Sequence, residues 1–320
     1  MEVADGLWQF EIPMRFSPLG CTFSYLLADA ATLIDAGVGT DEASSALEAE
    51  LKKVGLNVSD LERVILTHLH RDHVGLMEYI TSVSDVQVCA HETAPKVLKG
   101  RVRRSHEEVR EEINLLGGNG FFKFRDFIPR PIRRSINLKI DRTLADGDIL
   151  ELEGASLRVI WTPGHALEHI CLYDADRRVL LSGDHILPRI TPHISLHVND
   201  EADPLRDYLT SLEKLKGLPV DLVLPAHEHV LRGLDERIEE LKRHHEFRCG
   251  EIKDTLKEGE LTVLKISSRI SWDSRPWPLM SSWTRYMAAE ETLAHLVYLR
   301  NRGEIKERLS NGTLLYSLQK

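Results

Sequence analysis

Apolar and polar positions alternate in two registers along this chain, and the change of register divides it. Over the first two thirds, short β-prone runs are interleaved with helical spacings. Residues 22–28 and 31–35 are strand-like, and the AGVGT turn at 36–40 leads into a predicted helix. There Thr40 caps the N-terminus, Asp41 and Glu42 fill the first turn, and Ala43, Leu47, Leu51 and Val54 share one face before Gly55 stops it. LERVILT (61–67), VQVCA (86–90) and DLVLPAH (221–227) are further apolar strands, while 147–161 and 170–184 read as hairpins, the second turning at 174–176. Asp203 followed by Pro204 is an N-cap and first-turn pattern for a helix with Tyr208, Leu212 and Leu215 on one side.

Residues 93–145 break that rhythm with a charged helix at about 104–116, then GGNG, then FFKFRDFIPRPIRR. They read as an insertion that walls a substrate pocket. Phe121, Phe122, Phe124 and Phe127 suit an acyl or aromatic group, and Arg101, Arg103, Arg104, Arg130, Arg133 and Arg134 suit a phosphate or carboxylate. From about 235 the pattern turns helical. A long helix, ELTVLKISSRI, a second helix opened by Glu290 and Glu291, and a hairpin turning at Asn311 and Gly312 spell a winged-helix module. The predicted organisation is a catalytic α/β domain over 1–238 and a small winged-helix-like domain over 239–320.

Charge narrows the partners. The net charge of −9 argues against nucleic acid or an anionic membrane as a general partner. Residues 96–145 nevertheless hold thirteen Lys/Arg against six Asp/Glu. Residues 239–320 hold fourteen against twelve, without the basic stripe of a DNA reader. The C-terminal helices carry Leu293, Leu296, Val297 and Leu299, apolar surface for docking on the catalytic domain or on a second copy, so a homodimer stays open. No run approaches the roughly 20 apolar residues of a membrane span. The N-terminus lacks a basic leader, and the four cysteines are scattered without CxxC, which predicts a cytoplasmic protein.

The chemistry concentrates in Thr67-His68-Leu69-His70-Arg71-Asp72-His73, where a strand ends and a helix begins. Three histidines and an aspartate within six residues have no common structural reason to exist, and imidazole with carboxylate suits Zn²⁺ or a similar divalent ion. Three further candidates end β-prone runs: His165 in WTPGHA, Asp184 in LLSGDH and His227 in LPAHEH. Small residues (Gly164, Gly183, Ala226) stand just before each.

HxHxDH, then a distant GH, then SGD, then a last His after a small residue resembles the ligand series of the metallo-β-lactamase superfamily; Ala226 replaces the usual glycine. The resemblance implies a four-layer αβ/βα sandwich over roughly 1–235. It implies one metal on His68, His70 and His165, a second on Asp72, His73 and His227, and Asp184 bridging. The set without cysteine is like that of glyoxalase-II-type hydrolases. TPGHALEHICLYD, LLSGDHILPRITPHISLH and the C-terminal helical tail are similar to the branch with a C-terminal winged helix, which includes β-lactamase-like protein 2.

The function so implied is a binuclear hydrolase that uses a metal-bridging hydroxide on an ester, thioester or lactone of a small, anionic or acyl-bearing molecule. Zinc is the default ion, with iron or manganese as alternatives. Asp72 and His169 are the candidate catalytic residues, Asp72 orienting the nucleophile and His169 donating to a ligand or substrate. The competing chemistry is phosphodiester cleavage of single-stranded RNA. The competing class is a nucleic-acid-binding protein with a structural metal, although structural zinc sites are closed and four-coordinate. One of His185, His193 and His197 is expected to face the cavity, while His91, His106, His229, His244, His245 and His295 are read as core or surface residues.

Overall fold

The computed structural model describes residues 1–15, 17–100, 106–118, 138–198, 201–273 and 275–319. The six arginines and four phenylalanines singled out between 101 and 134 lie outside these residues. Two compact units result. One comprises Met1–Arg101, Arg134–Pro192 and Ser211–Ile238; the other comprises Val102–Arg133, His193–Thr210 and Glu239–Lys320.

The first unit holds two sheets. β1 (Glu2–Ala4), β2 (Leu7–Pro13), β3 (Cys21–Leu27) and β4 (Thr32–Ile34) pair antiparallel in order. β5 (Arg63–Ile65), β6 (Gln87–His91) and β7 (Arg142–Leu144) extend that sheet in parallel to seven strands. The five-stranded sheet comprises β8 (Ile149–Leu152), β9 (Ala155–Trp161), β10 (Ile170–Asp174), β11 (Val179–Gly183) and β12 (Leu222–Pro225), antiparallel except where β11 meets β12.

Side-chain alternation decides how these layers stack. Ile34, Ile65 and Cys89 pack with Leu157, Val159, Leu172 and Leu181 of the second sheet, forming the core between sheets. Their strand neighbours Leu33, Val64 and Val88 point the other way, onto helices. Those helices include α1 (Asp41–Lys53) and α3 (Met77–Val83), contributing Leu47, Leu51, Met77 and Ile80; α2 (Arg71–Val74) and α4 (Ala94–Gly100) complete the set before the second unit. Because both faces of the parallel strands are covered, the strands read as continuous apolar runs. α1 forms as its sequence predicts: Thr40 Oγ1 accepts from the Ala43 amide at 3.2 Å, and the chain leaves through Gly55 at φ +80°. The segment 93–145 is not uniform. α4 and β7 belong to the first unit, and Leu138 and Ile140 pack on its helix-side core.

The second unit contains α5 (His106–Leu115), α6 (Pro204–Leu215) as far as Thr210, α7 (Leu234–Leu256) from Glu239 onward, α8 (Val263–Ser267) and α9 (Ser282–Asn301). Its sheet runs β13 (Leu261–Thr262), β15 (Thr313–Leu318), β14 (Ile305–Ser310). Asn311 and Gly312 both adopt positive φ (50° and 71°), as a two-residue hairpin turn requires. Glycine is needed at 117, where a Cβ would lie 2.5 Å from the side chain of Thr262, the cap of α8. Glu290 and Glu291 do not open the helix that carries them. Ser281 caps α9 well upstream, accepting from the Thr284 amide, so both glutamates fall in mid-helix. No helix among the described residues is long and apolar enough to cross a membrane.

A histidine pair sits in the core of this unit. His295 Nδ1 donates to the Glu291 carbonyl at 2.8 Å, which leaves its Nε2 to accept from His245 Nδ1 at 3.1 Å. Burial pushes His295 down to about 3 and His245 well below its ordinary value. A histidine depressed in the folded state protonates first in the unfolded chain, so its contribution is intact above about pH 6.5 and is lost as pH falls toward the folded value. We expect unfolding free energy to fall by about 1.4 kcal/mol per pH unit for His295 in that window. Denaturant titrations of the wild type and of His295→Gln measure it; equal pH slopes would exclude the pair as a source of acid sensitivity.

Candidate metal centre

Each predicted ligand leaves the end of a strand. β5 ends at Ile65, and the chain then passes through Thr67, whose amide and hydroxyl both donate to Asp35, at 2.8 and 2.7 Å. Asp35 follows β4 in the left-handed region (φ 57°), a conformation that aspartate tolerates better than most residues. Its Oδ2 also accepts from His73 Nδ1 at 2.7 Å. The turn before α1 is pinned to the same place: the Ala36 amide donates to the His73 carbonyl at 2.7 Å, and Gly75 to Gly37 at 2.8 Å. Glycine is required there, since a Cβ on Gly75 would meet the Gly39 backbone at 2.1 Å. His70 stands at the N-terminus of α2, so Asp72 and His73 project from its first turn, and Glu168 holds the Leu69 amide at 3.1 Å.

From the second sheet, β9 leads to His165, β11 to Asp184 and β12 to His227. The Ala226 amide donates to the Gly183 carbonyl at 2.9 Å, holding those last two turns together. Gly183 has φ +50°, and a Cβ on it would approach His169 Nε2 at 2.7 Å and Thr67 Oγ1 at 3.0 Å. The small residue before Asp184 thus lets two supporting side chains close in behind it.

Asp184 stands between two groups of side chains. Its Oδ2 lies 3.5 Å from His165 Nε2 and 3.8 Å from His68 Nε2. Its Oδ1 lies 3.5 Å from His73 Nε2 and 3.4 Å from His227 Nε2, which is itself 3.5 Å from Asp72 Oδ2. His68, His70, His165 and Asp184 form one set able to hold an ion, and Asp72, His73 and His227 another. Ligand atoms placed tetrahedrally around an ion at about 2.05 Å would lie roughly 3.3 Å apart, close to these separations. The Nε2 atoms of His68, His73 and His227 and Oδ1 of Asp184 are buried without a hydrogen-bond partner. Meanwhile His73 and His227 have Nδ1 committed, to Asp35 and to the Cys21 carbonyl (3.0 Å), and His68 Nδ1 lies 3.1 Å from the Thr67 hydroxyl. Their rings therefore turn Nε2 toward the centre, an arrangement that orients imidazole ligands.

The charges fit that reading. Burial and the neighbouring imidazoles hold His68 well below its usual range and His70 at about 3, so both are neutral donors. Burial opposes ionisation of Asp184 and Asp72, but the surrounding histidines win: Asp184 is held far below the carboxylate range, and Asp72 comes down to about 2. Burial likewise opposes a charge on His73, and Asp184 with Asp35 raises it well above the usual value. Positive charge belongs at this centre.

The remaining histidines separate clearly. His169 is buried behind Asp184, with Nδ1 2.8 Å from Thr162 Oγ1 and Nε2 accepting the Asp184 amide at 3.2 Å. It holds a ligand's backbone rather than donating to a ligand. His185 is buried beside it, with ring centroids 5.8 Å apart. His91 stacks on Trp161 at 5.1 Å, and His229 is exposed. In the second unit, His193 Nε2 meets the Met287 carbonyl at 3.1 Å. His197 Nδ1 lies 2.6 Å from Glu290 and 3.7 Å from Glu112, two buried carboxylates, in a further group whose ligand atoms lie within 4.8 Å of one another. Glu112 also accepts from Val198 N and Tyr286 Oη. Sequence spacing could not reveal this group, because its members come from three distant segments. Asp35 and Glu168 stand outside the sequence-based candidates; the only signal for Asp35 is its place at the end of a β-run before AGVG.

A His/Asp metal-binding cluster at the strand ends of two packed sheets defines a metallo-hydrolase. The chain belongs to the metallo-β-lactamase superfamily, whose family model matches residues 19–227. It is 27% identical to the probable metallo-hydrolase YqjP of Bacillus subtilis over 97% of both chains. It is 28% identical to a β-lactamase-like protein 2 homolog of Caenorhabditis elegans, over 80% of this chain and 72% of that one. Among solved structures, a metallo-β-lactamase family protein of Thermus thermophilus superposes with a TM-score of 0.81 at 30% identity, covering 98% of this chain and 99% of the other.

If Asp35 orients His73, Asp35→Asn should weaken metal retention by about 10- to 100-fold without unfolding the chain. Competition with a chromophoric chelator, alongside circular dichroism, checks this; wild-type affinity in the variant would remove Asp35 from the centre.

Proposed function

We propose that this protein is a binuclear metal-dependent hydrolase acting on an ester, thioester or lactone of a small molecule. The observation that carries the reading is the set of orphaned atoms at the centre. Four buried polar atoms without hydrogen bonds, two of the imidazole nitrogens facing Asp184 Oδ1 at 3.4 and 3.5 Å, are costly unless a cation satisfies them. His68, His70 and His165 would hold one ion, Asp72, His73 and His227 the second, and Asp184 both. Divalent ions there, zinc by default and iron or manganese otherwise, supply Lewis acidity and lower the pKa of a water toward about 7.

The chain's own groups do the rest. Asp35, Thr67 and the Cys21 carbonyl fix the imidazole rings, and His169 with Gly183 fixes the turn of Asp184. Asp72 is the one carboxylate of the centre with a partly open side chain (29% exposed), and, kept ionised, it orients the attacking oxygen as a base. Carbonyl chemistry is favoured by a relative named atrochrysone carboxyl ACP thioesterase from Aspergillus fumigatus, 25% identical over 68% of this chain and 54% of that one.

We place the catalytic domain at residues 1–238 and read 239–320 as a winged-helix-like module that serves the hydrolase in the cytoplasm rather than binding nucleic acid. From Tyr286 to Arg300, α9 has no exposed residue. A helix that reads a major groove must present a solvent-facing polar stripe.

Elemental analysis of protein purified without chelator should give two divalent ions per chain. A panel of lactones, acyl thioesters, phosphodiesters and single-stranded RNA should show turnover on the carbonyl substrates. Asp72→Ala and His70→Ala should lose that turnover by orders of magnitude while remaining folded. Preferential cleavage of RNA would replace the proposed substrate class, and a single ion in a metal-replete sample would sink the binuclear centre.

A further inference from the structure

The chain that follows Asp184 has no regular secondary structure from 187 to 192, yet its backbone at 187–190 is held from both sides. Glu228 Oε2 accepts from the amides of Arg189 (2.8 Å) and Ile190 (3.2 Å). The guanidinium of Arg237, a buried residue of α7, donates to the carbonyls of Leu187 (2.7 Å), Arg189 (3.0 Å) and Ile190 (2.9 Å). Hydrogen bonds to charged groups are the stronger kind, and here they fix both amides and three carbonyls of a short irregular stretch.

Glu228 follows His227 directly and adopts φ +73°, in the left-handed region that penalises any residue with a Cβ. Glycine would take that conformation freely. A glutamate there is therefore explained by its side chain, and the side chain is engaged with the 189–190 backbone. What this device presents to solvent is a cation beside an apolar group: Arg189 is exposed and Ile190 is 38% exposed. Both stand one hydrogen bond away from the neighbour of a metal-centre residue.

We propose that Glu228 and Arg237 clamp residues 187–190 as a substrate-reading rim of the metal centre, with Arg189 taking an anionic group of the substrate and Ile190 its acyl chain. This rests on the hydrolase reading and deepens it to acyl esters or thioesters bearing a carboxylate. Glu228 and Arg237 are positioning residues; Arg189 and Ile190 set specificity.

The test uses two hexanoyl thioesters, of 3-mercaptopropionate (anionic) and of N-acetylcysteamine (neutral), on the metal-loaded full chain. Arg189→Glu should raise KM for the anionic thioester by about tenfold and leave the neutral one within about twofold. Equal effects on the two would overturn the assignment of Arg189 while leaving the hydrolase intact. For the clamp, Glu228→Ala loses the side chain and keeps the backbone strain, whereas Glu228→Gly loses the side chain and relieves the strain. Both should raise KM and speed amide exchange at Arg189 and Ile190 with metal content unchanged, and only Glu228→Gly should recover thermal stability. If the glycine variant regains wild-type KM and exchange along with its stability, Glu228 is merely structural and the clamp falls. Exchange reads the clamp without turnover. A wild type that cleaves neither thioester would overturn the role of Arg189, and turnover of the lactones decides the hydrolase reading separately.

Discussion

A carboxylate buried among four imidazoles is the constraint around which the first unit is organised. Asp184 is 7% exposed and lies within 3.8 Å of the Nε2 atoms of His68, His73, His165 and His227. Such a charge cannot leave water without compensation. The carboxylates beside His73 and His227 raise the proton affinity of both against the pull of burial, so that protons taken up there supply part of it. A divalent ion supplies it better, because it meets several Nε2 lone pairs at once, and its binding must then displace those protons.

That arrangement survives only because the opposite side of each ring is fixed by protein. Asp35 gathers the Thr67 amide, the Thr67 hydroxyl and His73 Nδ1 onto one carboxylate, so a single residue sets the start of the HxHxDH loop and the orientation of its last histidine. His169 and Gly183 do the same for Asp184 from the second sheet. The two sheets share a continuous apolar core, so their strand ends cannot drift independently, and ligands separated by more than 150 positions in sequence keep ångström-scale registry.

The division between what was legible in the sequence and what was not follows from range. α1, the two hairpins and the strand-end positions of the candidate ligands were readable because each is encoded locally, by a cap, a period or a cluster of side chains. The start of α9 was misplaced because its cap, Ser281, precedes a stretch with little helical periodicity. The supporting residues Asp35 and Glu168 were invisible, since a lone acid carries no sign of what it will face after folding. Sequence makes His169 a candidate donor, while its contacts make it the acceptor of a backbone amide. The Glu112–His197–Glu290 group joins three segments that only the tertiary fold of the second unit brings together.

Backbone strain gives an independent view of where this fold has been shaped by function. Among the described non-glycine residues, left-handed φ occurs at Ala31, Asp35, Arg178, Glu228 and Asn311. Asn311 belongs to a hairpin turn that demands the conformation, and asparagine suits it. Asp35 and Glu228 differ in kind. Each carries a carboxylate onto backbone amides beside the metal cluster, Asp35 onto Thr67 and Glu228 onto Arg189 and Ile190. A glycine at either place would be more comfortable and would hold nothing. Strain retained at two points that flank one centre, both with the same kind of side-chain contact, is what is expected when loop positions are fixed for chemistry rather than for stability.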